Sequence, residues 1–81
     1  LEALARAQML LVDGEFDRVV AELDEFASRN ATTAMWEERR ALRIVALCRG
    51  KRASGQDEAR LFLHERSSSP LAARIRLACR L

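Results

Sequence analysis

The chain has 81 residues, which is enough for one small domain that buries about 60–65% of the surface exposed by the unfolded chain. No apolar run in the sequence approaches the roughly 18–20 residues that a membrane-spanning helix needs. The net charge of +2 conceals two unlike halves, because residues 1–38 carry −6 and residues 39–81 carry +8. The basic residues are spread around the helices and few aromatic residues accompany them, so we do not expect a nucleic-acid partner.

The sequence predicts one helix on each side of Gly14. The first covers roughly residues 1–13, and Gly14 ends it because glycine readily adopts the conformations that terminate helices. The second covers residues 16–29, where apolar residues recur at the i, i+3, i+4 and i+7 spacing of an amphipathic helix. These apolar residues are Phe16, Val19, Val20, Leu23 and Phe26.

A central helix is predicted over residues 34–49, after a turn at residues 30–33 in which Thr33 is the candidate N-cap. Its apolar residues cover a wide face, which favours burial against neighbours on two sides. We expect Gly50 to follow this helix as a left-handed C′ residue. The wide face consists of Met35, Ala41, Leu42, Ile44, Val45, Ala46, Leu47 and Cys48.

Two further helices are predicted beyond a polar loop at residues 51–55. One covers residues 56–66 and the other residues 71–80. Between them, Ser69 is a good N-cap, and Pro70 suits the first helical position, where its missing N–H removes no hydrogen bond. The residues expected to be buried are Ala59, Phe62, Leu63, Leu71, Ile75 and Ala78. No strand-like alternation occurs along the sequence, so the predicted fold class is all-α.

The pattern repeats with a period of 36 residues, which is the separation of Gly14 and Gly50. A period in this range, with helical patterning on both sides of a glycine, predicts a stack of helical hairpins. The predicted single domain has two hairpins, at about 1–33 and 34–69, and a C-terminal capping helix at about 70–81. Such a stack exposes a long surface and encloses no active site, so a binding scaffold is the leading functional prediction.

The Gly14-x-Phe16 turn, followed by Val19, Leu23 and Phe26, resembles the tetratricopeptide repeat. In that family a small residue and an aromatic residue open the second helix of each hairpin, and small or apolar residues recur along it. The resemblance covers essentially the whole chain. It implies an α-α superhelix that acts in protein–protein interaction, with a peptide or partner protein on its concave face.

Residues 58–73 carry a second resemblance, to a helix-turn-helix of bacterial periplasmic or membrane-tethered repeat proteins. The likeness lies in Glu58-Ala-Arg-Leu-Phe-Leu and in the later Ser69-Pro-Leu-Ala-Ala. It implies a bacterial protein outside the cytoplasm, held at the membrane only through an anchor upstream of this sequence. The alternative function is therefore a structural or regulatory extracytoplasmic segment of a membrane-tethered signalling or envelope protein.

The repeat register also implies which side chains face a partner, because the first helix of each hairpin lines the concave face. Arginines around a small apolar spot suit an acidic peptide, since a guanidinium holds a carboxylate through two parallel hydrogen bonds. The alternative is that these arginines are solvated or pair with Glu37 and Glu38. The partner-binding residues implied in this way are Gln8, Arg40, Ile44, Arg76 and Arg80.

The sequence offers no catalytic constellation, so we do not expect an enzyme, a metal site or a cofactor. His64 is the only histidine, and no orienting group accompanies it. The serines at 67–69 are typical of a turn. Cys48 and Cys79 are either buried free thiols or a disulfide, and the sequence leaves both alternatives open, together with the redox compartment.

Two hairpins are fewer than the roughly three repeats that a stable stack usually needs. We therefore expect either further repeats upstream, since the chain starts at Leu1 rather than at methionine, or self-association that covers an open end. The predicted edge for a homo-oligomer lies around Leu1, Leu4 and Met9.

Overall fold

Five α-helices follow one another along the chain, with no strand among the described residues. This computed structural model describes residues 2–29 and 35–81. The helices are α1 (Glu2–Val12), α2 (Phe16–Arg29), α3 (Trp36–Arg49), α4 (Ala53–Glu65) and α5 (Ala72–Cys79). The predicted all-α fold is confirmed, whereas the predicted turn at 30–33 with its N-cap Thr33 lies outside the described residues. Within that part of the chain, no helix combines the length and the apolar character needed to cross a membrane.

Helix α3 lies at the centre of the fold and is the one described helix that contacts all the others. α1 packs against α2 and α3 against α4, which gives two hairpins, and α5 packs against both helices of the second hairpin. Val19, Phe62 and Ile75 are completely buried around α3. Most of the wide apolar face predicted for α3 is buried, but Met35 is an exposed N-cap residue before the helix and Cys48 is only partly buried. The buried residues are Ala41, Leu42, Ile44, Val45, Ala46 and Leu47.

The edge expected for self-association is exposed only in part. Leu4 is buried in the same hydrophobic cluster as Leu11, so its predicted place at an exposed edge is wrong. Met9 is 68% exposed, and Leu1 lies outside the described residues.

Helices α1, α3 and α5 end in the same way, with one residue in the left-handed conformation. These residues are Gly14 (φ 77°), Lys51 (φ 61°) and Arg80 (φ 58°). Each is followed by a residue whose N–H donates to a carbonyl near the end of the helix, as in the Schellman motif, so helix carbonyls without a helical partner are satisfied. The donor and acceptor pairs are Glu15 and Leu10, Arg52 and Leu47, and Leu81 and Arg76.

The left-handed residue after α3 is Lys51, not Gly50 as predicted. Gly50 has φ −81°, a value open to any residue, and its missing side chain serves packing instead. A Cβ at Gly50 would lie 3.0 Å from the Cβ of Phe16. Lys51 and Arg80 both carry a Cβ, so the left-handed conformation destabilises the folded chain by roughly 1–2 kcal/mol at each of them.

Helix α4 begins at Ala53, earlier than predicted, so the predicted polar loop at 51–55 is shorter than expected. The reason is Gly55, which lets the first turn of α4 lie directly against the end of α3. A Cβ on Gly55 would lie 2.9 Å from the backbone nitrogen of Cys48 and 3.0 Å from its Sγ. The Gly55 N–H instead donates to the Arg52 carbonyl at 3.0 Å and closes the first turn.

Ser69 joins the start of α5 to the start of α3. Its hydroxyl accepts a hydrogen bond from the Leu71 N–H at 3.1 Å and donates to Glu37 at 2.6 Å. The prediction that Ser69 is the N-cap and Pro70 the first helical residue is wrong, because α5 begins at Ala72 and its N-cap is Leu71. The turn that leads into α5 is closed by the Ala72 N–H on the Ser69 carbonyl at 3.1 Å. These bonds attach the N-terminal end of α5 to α3.

Arg43 of α3 joins the acidic half of the chain to the basic half. Its guanidinium donates to Asp24 of α2 at 2.7 Å and to Glu58 of α4 at 2.5 Å. The hydrogen bond to Asp24 is the main reason that the pKa of Arg43 is raised above its ordinary value. A single side chain thus fastens three helices together.

Replacing Gly55 with alanine is expected to lower the free energy of unfolding by about 1–2 kcal/mol. Overpacking typically costs about 1–3 kcal/mol, and the upper part, about 2–3 kcal/mol, applies because the added Cβ meets backbone. The higher helix propensity of alanine returns about 1 kcal/mol. Urea unfolding followed by circular dichroism measures the change. Ser54→Ala, one residue earlier at an exposed position, is the control and should stay within about 0.5 kcal/mol of wild type. Equal stability of Gly55→Ala and wild type would contradict the close helix contact.

Lys51→Gly is expected to raise the free energy of unfolding by about 0.5–1 kcal/mol, because glycine adopts the left-handed conformation without strain. Gly14→Ala should lower it by about 1 kcal/mol, and this cost is conformational, since a Cβ there would meet no atom within 4 Å. The same unfolding measurement tests both changes. Lys51→Ala removes the charge but keeps the strain, so a gain as large as that of glycine would refute the strain argument.

Candidate functional site

The C-terminal ends of α3 and α5 converge on one open groove of about 950 Å³. The turn between α3 and α4 and the first turns of α4 complete its wall, and one residue of α2 reaches it. We call this site the basic groove. Its lining residues are Phe16, Val45, Cys48, Arg49, Lys51, Arg52, Ala53, Gln56, Arg74, Leu77, Ala78, Cys79 and Arg80.

A disulfide between Cys48 and Cys79 forms part of the wall of the basic groove, with the two Cα atoms 5.0 Å apart. The structure thus resolves the alternative that the sequence left open. The side-chain amide of Gln56 donates to the Cys79 carbonyl beside it. The disulfide holds the C-terminal end of α5 against α3, so the two main walls of the groove keep a fixed separation.

Five basic side chains surround the basic groove, and no acidic residue belongs to its lining. Arg49 lies over the ring of Phe16, with its guanidinium carbon 5.2 Å from the ring centre. Four of the five, Arg49, Lys51, Arg74 and Arg80, have no ion-pair partner within residues 2–29 and 35–81. The groove therefore presents positive charge that the described chain does not neutralise.

Arg52 is the exception, because it pairs with Asp17 of α2 through two hydrogen bonds. The hydrogen bond from Arg52 lowers the pKa of the Asp17 carboxyl, and the same pairing raises the pKa of Arg52. Both side chains are exposed, so the pair holds Arg52 at the rim of the groove while contributing little to stability.

Apolar side chains form the floor and one lip of the basic groove. Val45 is buried, Ala78 is partly buried and the ring of Phe16 closes one end. Leu77 is 84% exposed although it lies beside them. An exposed leucine next to free cations is suited to a ligand that carries both apolar and anionic groups.

Of the partner-binding residues implied by the sequence, Arg80 is the one that lines the basic groove. Arg76 is exposed on α5 but lies outside the lining, and Gln8 is exposed on α1. Arg40 pairs with Glu65 at 2.8 Å near the start of α3. Ile44 is completely buried, so its expected exposure on a concave face is wrong: α3 is covered by helices on every side there.

Sequence reasoning missed Arg74 and Leu77 and treated residues 51–55 as a polar loop without a binding role. The signal that was present is the density of charge in Arg-Gly-Lys-Arg, which places three cations in four residues. The sequence does not show that α5 brings Arg74 and Leu77 beside Arg-Gly-Lys-Arg. Their proximity depends on the path of α4, which lies between the two segments in the chain.

The basic groove can bind anions, but its lining contains no histidine, carboxylate or hydroxyl that could act as a base or a nucleophile. His64 is exposed on α4, away from the groove. Among residues 2–29 and 35–81, no group of three or more histidine, cysteine, aspartate or glutamate side chains could hold a metal ion.

Comparison with protein-family models, with curated proteins and with solved structures finds no match to this chain.

Removing the disulfide is expected to lower the free energy of unfolding by about 3–4 kcal/mol, the loop-closure entropy for a cross-link across 31 residues. The double variant Cys48→Ser/Cys79→Ser avoids a lone thiol, and urea unfolding measures its stability. Wild-type protein treated with dithiothreitol is the matched control and should lose the same amount. A double variant as stable as the oxidised protein would show that the bond does not hold α5 in place.

Proposed function

We propose that this chain is a protein-interaction module of the tetratricopeptide type that binds an acidic peptide segment in the basic groove. The observation that carries the proposal is the lining of the groove, which combines five basic side chains with an apolar floor and contains no acidic residue. The stacking of α1 with α2, of α3 with α4, and of α5 against that second hairpin supports the repeat type.

The chemistry of the lining favours carboxylates over other ligand groups. Arginine offers a planar fork of N–H donors that matches a carboxylate through two parallel hydrogen bonds. Arg74 and Arg80 both lie on the α5 side of the groove, with Leu77 between them in the chain. A peptide with an acidic residue next to a large apolar residue therefore satisfies both kinds of contact.

A nucleic acid is supported less well as the ligand. Proteins that bind single strands present aromatic rings on which bases stack. Phe16 is the single aromatic residue in the lining, and Arg49 lies over its ring. The groove thus offers charge but no open stacking surface.

The disulfide supports a second proposal, that the module works outside the cytoplasm. Disulfides persist in oxidising compartments and are rare where thiols are kept reduced. Cys79 is 1% exposed and Cys48 is partly buried, so the bond is covered from the Cys79 side. A periplasmic structural or regulatory segment of a membrane-tethered bacterial protein is the corresponding alternative function.

A direct test uses a synthetic fluorescein-labelled peptide of alternating glutamate and leucine and measures its binding by fluorescence anisotropy. Arg74→Glu is expected to weaken binding about tenfold or more, because a hydrogen bond to a charged group contributes about 1.5–3 kcal/mol. Affinity should also fall as salt is raised, since exposed charges are screened.

The matched control is Arg76→Glu, because Arg76 lies on the same helix and is exposed but does not line the groove. It should change the dissociation constant by less than about twofold. A peptide with glutamine in place of glutamate should bind much more weakly. Equal losses in the two variants, or equal affinity for the two peptides, would refute binding in the basic groove.

A further inference from the structure

The two ends of the helix stack carry unlike surfaces. On α1, the residues Ala5, Met9 and Val12 recur at i, i+4 and i+7, so they share one face of the helix. This face is turned away from the core: Ala5 is exposed, Met9 is 68% exposed and Val12 is 84% exposed. We call these three residues the outer stripe of α1.

Negative charge lies at the C-terminal end of the outer stripe. Asp13 follows Val12 directly, Glu15 comes two residues later, and both side chains are exposed. Neither carboxylate has an ion-pair partner within residues 2–29 and 35–81. The outer stripe is therefore an apolar helix surface that ends beside two acidic groups.

The opposite end of the stack presents the complementary chemistry. Leu77 is 84% exposed and lies in the basic groove together with Arg74 and Arg80. The open groove therefore favours a ligand surface that presents apolar side chains next to acidic ones.

We propose that the occupant of the basic groove is the outer stripe of α1 from a second copy of this chain. Met9 and Val12 of one copy pack against Leu77 and the apolar floor of the next, and Asp13 and Glu15 beside them face the cations of the groove. Asp13 and Glu15 on one copy and the cations without ion-pair partners in the groove of the other make this orientation attractive. This inference rests on the proposed function, since it names the acidic segment that the groove binds.

Such an interface joins two different surfaces and is therefore heterologous. Each copy bound in this way leaves its own groove, or its own outer stripe, free for the next copy, so association continues head to tail. The arrangement extends the helix stack across separate molecules.

Two substitutions block one end each, and both positions are so exposed that the fold should tolerate the change. Val12→Arg blocks the outer stripe and Leu77→Glu blocks the groove. Sedimentation velocity at rising concentration should show a growing average mass for wild type and a monomer for each variant alone. An equimolar mixture should form a dimer that does not grow further, because one intact stripe and one intact groove remain.

Circular dichroism confirms that each variant is folded before it is used. A wild-type protein that stays monomeric at millimolar concentration overturns the proposal. So does a mixture that stays monomeric although each variant alone has lost association, because that result indicates contact between two like surfaces. Association that Leu77→Glu leaves intact overturns it as well.

The glutamate and leucine peptide separates failure of this inference from failure of the proposed function. The Val12→Arg variant keeps its groove, so it should bind the peptide as wild type does, and Leu77→Glu should bind it at least about tenfold more weakly. Peptide binding without a mixed dimer refutes the self-association and leaves the peptide-binding function in place. Loss of both refutes both.

Discussion

The burial of α3 on every side is the constraint on which the rest of the structure depends. A helix that is apolar around most of its circumference has to be covered by neighbours, and four helices surround α3. The charged side chains of α3 therefore lie at its two ends, with Arg43 as the one charged residue in its middle. The C-terminal ends of α3 and α5 lie side by side at the surface, and together they form the main walls of the basic groove.

The charge of the groove follows from where the acidic residues are held. Asp24 is bound by Arg43 in the middle of the stack, and Asp17 is bound by Arg52 at the rim. The lining of the groove itself contains no acidic side chain. Arg49, Lys51 and Arg80 lie at the C-terminal ends of α3 and α5, where they interact favourably with the partial negative charge of the last carbonyls. Lys51 and Arg80 lie at these ends in the strained left-handed conformation, a feature that clusters at functional sites.

The helices and the class of fold could be predicted from the sequence because they follow from local periodicity and from turn residues. Gly14 ends α1 and adopts the left-handed conformation that glycine favours, so the local sequence is enough to place this turn. The first residue of α5 was predicted less well, because the helix begins at Ala72, after Pro70. The prediction that Gly50 is the left-handed residue after α3 was wrong. Gly50 is needed where it stands because Phe16, which is distant in sequence, leaves no space there for a Cβ, and the left-handed residue is Lys51. The burial of Ile44 and the pairing of Cys48 with Cys79 likewise depend on tertiary packing. The basic groove, assembled from four elements, could not be deduced from any one of them.

The Cys48–Cys79 bond also turns part of the chain into a covalent ring that contains all of α4 and the turn before α5. The residues 66–68 in that turn are exposed and polar, as is common at sites of proteolytic nicking. A protease that cuts there opens the backbone without releasing a fragment, because α5 remains bonded to α3. The two main walls of the groove would thus stay joined in a nicked, two-chain form of the module. Such a ring keeps α3 and α5 side by side after the exposed turn between α4 and α5 has been cut.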